Sequence, residues 1–302
     1  MKRTLKSFFV SALMVLVCLT LVACGQDIET DVEVTAPFGE KYPENVTAQY
    51  KINKSMTALQ MYEAGVKNFK AASFVASSQL GNITTNNKLT GNMTQKLDCL
   101  KIKEDNRYYL GSSSYTIKGG PTIKMSDQSI YENGKYRVRS ANSKDIKVEK
   151  DGTMSVSKWP AVEVFESLGQ GLQVYPDDLT KINMFIVNSK TIKTSTKPIY
   201  DAKNKTYKFN ITLDLETATK DYIRVMEYKT KKGGAPLLKG INFTKLRLTV
   251  VMWENGLIKS IGNEESYIVN AMGLENRTSL LATTYFTYDR AEVNTGNYFN
   301  QF

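Results

Sequence analysis

From Phe74 to Glu149, and again from Leu246 to Tyr288, the chain is a succession of short runs rich in β-branched and aromatic residues, parted by Gly and Asn clusters. Such runs are strands that cannot bury a face alone and must pair with neighbours, so they restrict the fold more than any other feature. The first series is Phe74 to Ile83, Gln95 to Ile102, Arg107 to Leu110, Ser114 to Ile117, Ser129 to Tyr131, Tyr136 to Arg139 and Ile146 to Glu149. The second is Leu246 to Met252, Leu257 to Ile261, Ser266 to Val269 and Ser279 to Tyr288. Tyr131-Glu132-Asn133-Gly134 and Trp253-Glu254-Asn255-Gly256 each carry Asn-Gly, the pair that tolerates positive φ at both centres of a type I′ turn. Two-residue hairpins at these places set Tyr131 opposite Tyr136 and Trp253 opposite Ile258. Lys150-Asp151-Gly152-Thr153 predicts a third hairpin.

Before, between and after the two series the pattern changes. Leu59, Tyr62, Val66 and Phe69 recur at helical spacing behind Ser55, which predicts an N-capped amphipathic helix over Met56 to Ala71. Trp159-Pro160 ahead of Val162, Phe165 and Leu168 predicts a short helix, as does Pro176-Asp177-Asp178 ahead of Leu179, Ile182 and Ile186. Tyr207, Phe209, Ile211, Leu213 and Leu215 alternate strictly with polar residues, which describes a strand with one buried face. Glu216 to Lys229 returns to helical spacing, and Asn294 to Phe302 reads as a loose tail. The sum is an α+β fold: a large, strongly curved antiparallel sheet, or half-barrel, with helices packed on its concave side. The matched Glu-Asn-Gly hairpins hint at two related halves.

The amino terminus is separate from this body. Lys2, Arg3 and Lys6 precede an apolar run from Phe8 to Val22 that is too short for a membrane span of about 20 residues, the pattern of a secretory signal. The run closes on Leu21-Val22-Ala23-Cys24, which resembles the lipobox of bacterial lipoproteins. In that family the cysteine receives a diacylglyceryl group and the chain is cut just before it. The resemblance implies a signal peptide over residues 1–23, lipidation at Cys24, and anchoring on the extracytoplasmic face of the cell membrane. Two acyl chains give stable attachment where one gives only reversible binding. Residues 24–50, with six carboxylates and two prolines, read as a tether, leaving residues 51–302 as the domain.

Composition narrows the chemistry. The 302-residue chain has no histidine, which removes Ser-His-Asp and Cys-His mechanisms, His-containing zinc sites and the usual base near neutral pH. Of three cysteines, Cys18 leaves with the signal and Cys24 is modified, so Cys99 stands alone in an apolar context that favours a buried strand position. The net charge of +10 falls to about +7 once the signal is removed, dispersed over the surface in a manner that suits an anionic membrane and not nucleic acid. Ser155-Val156-Ser157-Lys158 has Ser-x-x-Lys spacing but lies in an alternating, strand-like stretch without partner motifs, and Asp177-Asp178 complements a helix start without need of a metal.

A lipoprotein that opens with a helix such as Met56 to Ala71, passes through Gly-punctuated hairpins and closes on hairpins such as Leu246 to Ile261 resembles the LolA, LppX and RseB type of lipid-binding lipoproteins. That resemblance implies a half-barrel whose concave face, lidded by helices, holds acyl chains, with no catalytic residues and no cofactor. Tyr207, Phe209, Ile211 and Leu213 are then the candidate lining. The competing expectation is an envelope interaction or sensor module in which the same side chains fill a closed core and another envelope protein is the partner.

Overall fold

In the computed structural model, residues 41–86, 92–118, 124–132, 134–149, 152–165, 182, 185–223, 239–271 and 274–300 are described. Helix α1 (Ala58–Ala71) comes first. The strands follow as β1 (Phe74–Thr85), β2 (Asn92–Ile102), β3 (Arg107–Lys118), β4 (Lys124–Glu132), β5 (Lys135–Ser140), β6 (Ile146–Val148), β7 (Met154–Val156) and β8 (Glu163–Phe165). The remainder are β9 (Ile192–Ser195), β10 (Ile199–Asp201), β11 (Thr206–Leu213), β12 (Lys239–Trp253), β13 (Ile258–Ala271) and β14 (Leu274–Thr287), and a four-residue helix, α2 (Gly296–Phe299), closes the chain. All but β6 and β7 form one antiparallel sheet in the order β10-β11-β12-β13-β14-β1-β2-β3-β4-β5-β8, with β9 also on β11. The sheet is curved and does not close on itself, so the fold is the α+β half-barrel that the pattern predicts.

Nearly every connection is a hairpin, which is why the strand order follows the chain. The exceptions are β5–β8 and β9–β11, which pass over intervening strands, and the β14–β1 pair, where Ala76 meets Thr287 and Thr85 meets Thr278. That pair joins the two strand series into one surface, a closure that no local signal announces. Arg107 to Leu110 and Ser114 to Ile117 form one strand, β3, bridged by Gly111, Ser112 and Ser113. Weak strand formers are carried there by partners on both sides.

Three expectations about turns and helices are corrected. The cap of α1 is Thr57, not Ser55: Thr57 Oγ1 accepts from Gln60 N, and Gln60 Oε1 accepts from Thr57 N, a reciprocal capping box. The helix expected after Trp159-Pro160 is instead strand β8, whose Glu163 and Phe165 pair with Val138 and Tyr136 of β5. A free strand edge outweighs two apolar residues at helical spacing, and Leu168 lies outside the described residues. Ile182 and Ile186 sit in irregular chain, with Ile186 N donating to Ala218 O, while Leu179 and residues 176–178 lie outside the described residues. Of the helix expected over Glu216 to Lys229, residues 220–223 are helical and the remainder lies outside the described residues.

The two Asn-Gly hairpins are not equivalent. Tyr131 pairs with Tyr136 and Glu132 with Lys135, as a two-residue turn requires, and Gly134 takes φ +76°. At the second, Met252 rather than Trp253 pairs with Ile258, because Trp253 N donates to Leu257 O across a three-residue loop. Gly256 there takes φ +98°, the left-handed residue such loops need. The third hairpin, β6 to β7, forms around Gly152 at φ +83°.

The two largest cores lie on opposite faces, and a third, small cluster gathers Ile83, Met93 and Met125. The larger, on the concave face, joins α1 (Met61, Tyr62, Phe69) to inward residues of β11 to β14. The smaller, on the convex face, gathers Phe74, Leu100, Ile102, Tyr109 and Ile130. It is covered by α2, whose Phe299 is buried and lies 4.0 Å beneath the Arg107 guanidinium, with Tyr298 edge-on to Tyr109 at 4.9 Å. The carboxyl-terminal segment through Asn300 is therefore a packed cover and not the loose tail expected. Residues 41–50, expected in the tether, also join the fold: Ala48 is buried, and Tyr42 stacks edge-on against Trp253 at 5.6 Å.

Candidate functional site on the concave face

The alternation on β11 puts Tyr207, Phe209, Ile211 and Leu213 on the concave face, exposed by 6 %, 1 %, 0 % and 1 %. Their partners across β12 are apolar too: Met252 meets Tyr207, Val250 meets Phe209 and Leu248 meets Ile211. Helix α1 comes down on this patch, and Gly65 permits the approach. A Cβ at that position would lie 2.6 Å from Ile258 Cγ1 and 2.8 Å from Met252 Cε. The four candidate residues are thus brought together, in dense contact with their neighbours. Cys24, the candidate lipidation site, lies outside the described residues.

Beside this patch the concave face turns polar. On β13 the inward residues run Ile261, Asn263, Glu265, Tyr267, Val269, and on β14 they include Asn276, Thr278, Leu280 and Ala282. Glu265 sits between Leu246 of β12 and Leu280 of β14, 3 % exposed. Burial alone pushes its carboxyl up to about 8, so it is largely protonated at neutral pH and presents an O–H donor. Asn263 Oδ1 and Thr278 Oγ1, both buried, have no hydrogen-bond partner among the described residues. Buried polar atoms of a native fold are ordinarily satisfied, so these need an explanation.

An aromatic group borders the polar island. Phe185 meets Tyr222 at 5.4 Å and Phe243 at 6.1 Å, Tyr222 meets Phe243 at 5.7 Å, and Phe243 meets Tyr267 at 5.4 Å. Burial raises the Tyr222 phenol well above its ordinary range, with Glu265 a second cause. None of the polar group was foreseen from sequence. The available signal was Glu265 in phase with Ile261 and Tyr267, but the consecutive apolar Tyr267-Ile268-Val269 conceals which face that phase points to.

Other ionisable groups have structural partners. Lys101 Nζ donates to Phe69 O at 3.0 Å and Lys70 O at 3.2 Å, closing the end of α1, and burial lowers its amine to about 8. Cys99, on β2 opposite Ser77, is half-buried, and desolvation pushes its thiol up to about 12, which leaves it unreactive near neutral pH. Glu132, in the first Asn-Gly hairpin, is ion-paired by Arg137 and by Arg107 Nε at 2.7 Å. Among the described residues, no group of three or more metal-ligating side chains gathers.

Two surface grooves lie away from the concave patch. One, of about 690 Å³, runs between the ends of β3 and β4 and the β6–β7 hairpin, lined by Ile117, Lys124, Lys144 and Lys147 among others. The other, of about 420 Å³, lies between Tyr50 and the start of α1, with Lys51, Met56 and Lys67.

No family model matches the chain, and no curated protein matches it. Among solved structures it is similar to a β-barrel-like protein of a domain of unknown function from Brucella abortus, at 11 % identity and a TM-score of 0.24, covering 71 % of this chain and 100 % of that one. It is also similar to a porin-like protein from Bacteroides uniformis, at 8 % identity and a TM-score of 0.21, covering 72 % of this chain and 96 % of that one.

Proposed function

We propose that the protein is a membrane-anchored extracytoplasmic lipoprotein whose half-barrel receives a lipid or other apolar ligand on the concave face. The observation that carries this reading is the polar island of Glu265, Asn263 and Thr278, buried beside an apolar sheet surface, with Asn263 Oδ1 and Thr278 Oγ1 lacking partners among the described residues. A ligand with an apolar chain and a polar end meets both needs at once. The chain lies along the β11–β14 surface while the polar end accepts from the protonated Glu265 carboxyl. The anchor is the diacylglyceryl group on Cys24, and no catalytic chemistry is assigned.

The test is recovery of ligand. Protein expressed from residue 26, extracted and analysed by mass spectrometry, is expected to release lipid and to take up a fluorescent fatty acid. Glu265→Leu is expected to weaken that uptake about tenfold, the loss of one buried hydrogen bond to a polar end. Clean protein in repeated preparations, with no uptake, overturns the reading.

The dense packing of Tyr207, Phe209, Ile211 and Leu213 beneath α1 favours a second reading, an envelope interaction or sensor module with a closed core. In that case a stable protein partner is recovered from envelope extracts and no lipid accompanies the chain.

A further inference from the structure

The described chain begins at Lys41 at one end of the sheet, and that end has a composition of its own. Four lysines lie over aromatic rings there: Lys205 over Tyr42 at 4.9 Å, Lys67 over Tyr50 at 5.6 Å, Lys54 over Tyr200 at 5.7 Å and Lys259 over Trp253 at 4.3 Å. The pieces are held as one unit. Asn68 Nδ2 donates to Tyr50 O and Gly256 O, and Asn68 Oδ1 accepts from Tyr50 N. Glu254 N donates to Lys205 O, and Tyr200 OH donates to Glu254 Oε2. Lys41, Lys51 and Lys203 are exposed at the same end. On the β10–β13 side of this end, seven lysines thus stand against four carboxylates, Glu44, Glu63, Asp201 and Glu254, and Asp201 and Glu254 are already engaged within the fold.

We infer that this lysine-aromatic end is a docking surface for a bilayer carrying anionic headgroups, against which the concave domain stands upright. Tyrosine and tryptophan combine an apolar ring with a polar edge, and lysines spread an aliphatic stem below a charged head, so both suit the headgroup layer. Tyr50 is exposed by 39 %, whereas Trp253, at 3 %, is buried beneath Lys259 and only supports that lysine, so contact is made by tyrosines and lysines and not by insertion. The inference rests on the anchor at Cys24. The 17 residues from Cys24 to the residue before Lys41 reach at most about 60 Å even when fully extended, and they lead directly to this end of the sheet. The end where the chain enters is the one nearest the anchor along the chain. Lys144 and Lys147 lie at the opposite end, by the β6–β7 hairpin.

Residues 24–302 with Cys24→Ser, which retain every described residue, are sedimented with vesicles of phosphatidylglycerol and phosphatidylcholine in equal parts, and with pure phosphatidylcholine. Binding is expected only with phosphatidylglycerol and is expected to fall as salt rises. Replacing Lys51, Lys54 and Lys205 together by glutamine is expected to weaken it about a hundredfold, at a factor of about five for each basic residue. Replacing Lys144, Lys147 and Lys158, at the far end, is expected to change it less than about threefold on the same scale. Equal binding to both vesicles, or equal losses from the two triple variants, overturns the proposal. Because this chain carries no lipid, the outcome is independent of the anchor. Absence of a diacylglyceryl mass on wild-type Cys24 removes the anchor alone, and absence of vesicle binding beside an acylated Cys24 removes this surface alone.

Discussion

A carboxyl group set between Leu246 and Leu280 prefers its neutral form, because ionising it there forfeits solvation that no neighbouring donor restores. Glu265 is raised in the folded chain from an ordinary value of 4.5 to about 8, so the folded state binds more protons than the unfolded state between those limits. Its contribution is fully present below about pH 4.5 and is lost as pH rises through about 8, which makes the chain less stable toward the alkaline side of that window. With each tenfold change in proton affinity worth ~1.4 kcal/mol, the effect across the window is on the order of 3 to 5 kcal/mol. Glu265→Gln keeps the shape without the charge and is expected to flatten this slope, seen as a higher urea midpoint than wild type at pH 8 and little difference at pH 4.5. The same residue shows the limit of residue-level reading. Its identity was visible, but it fell between the strands expected at Leu257 to Ile261 and Ser266 to Val269, which the structure joins into the single strand β13.

At the scale of elements, α1 carries the most weight, because it is the one long helix among the described residues and it covers the concave patch. Its helical period was legible from Leu59, Tyr62, Val66 and Phe69, but its buried face is turned from that reading: Tyr62 and Phe69 are buried with Ala58, Met61, Gly65 and Asn68, while Leu59 and Val66 are half-buried. Its cap was not legible: Ser55 and Thr57 both fit the residue preference, and Gln60, three residues beyond Thr57, decides between them. Asn68 ties α1 to its surroundings with three hydrogen bonds, to both backbone groups of Tyr50 and to Gly256 O. Asn68→Ala leaves these groups without that partner and is expected to destabilise the fold by about 2 to 3 kcal/mol, read as a lower denaturant midpoint. Hydrogen exchange at the Tyr50 amide is expected to quicken in the same variant.

At the scale of the molecule, α2 and the residues before it decide whether the convex face is tolerable to solvent. Phe74, Leu100, Ile102, Tyr109 and Ile130 form an apolar patch there, and Tyr298 and Phe299 are its lid. Truncation after Val293 is expected to expose that patch, raise binding of a hydrophobic dye and promote aggregation, while far-ultraviolet circular dichroism keeps its strand character. A full-length chain with Phe299→Ala is expected to lose about 3 kcal/mol or more, since an aromatic ring leaves a buried site. Only a variant as stable and as soluble as wild type contradicts this role.

The fold class, the strand-rich body, the positions of the hairpins and the helical period of α1 were determined by the chain itself, because each rests on a local period or on a turn residue whose φ preference needs no distant partner. What joins β14 to β1, turns Glu163 to Phe165 into an edge strand, folds Tyr298 and Phe299 onto the convex face and sinks Glu265 into the concave one was settled by tertiary structure. Those outcomes depend on which surfaces meet between segments far apart along the chain. A hydrophobic face or an unpaired strand edge specifies that it will be covered, but not by which distant segment.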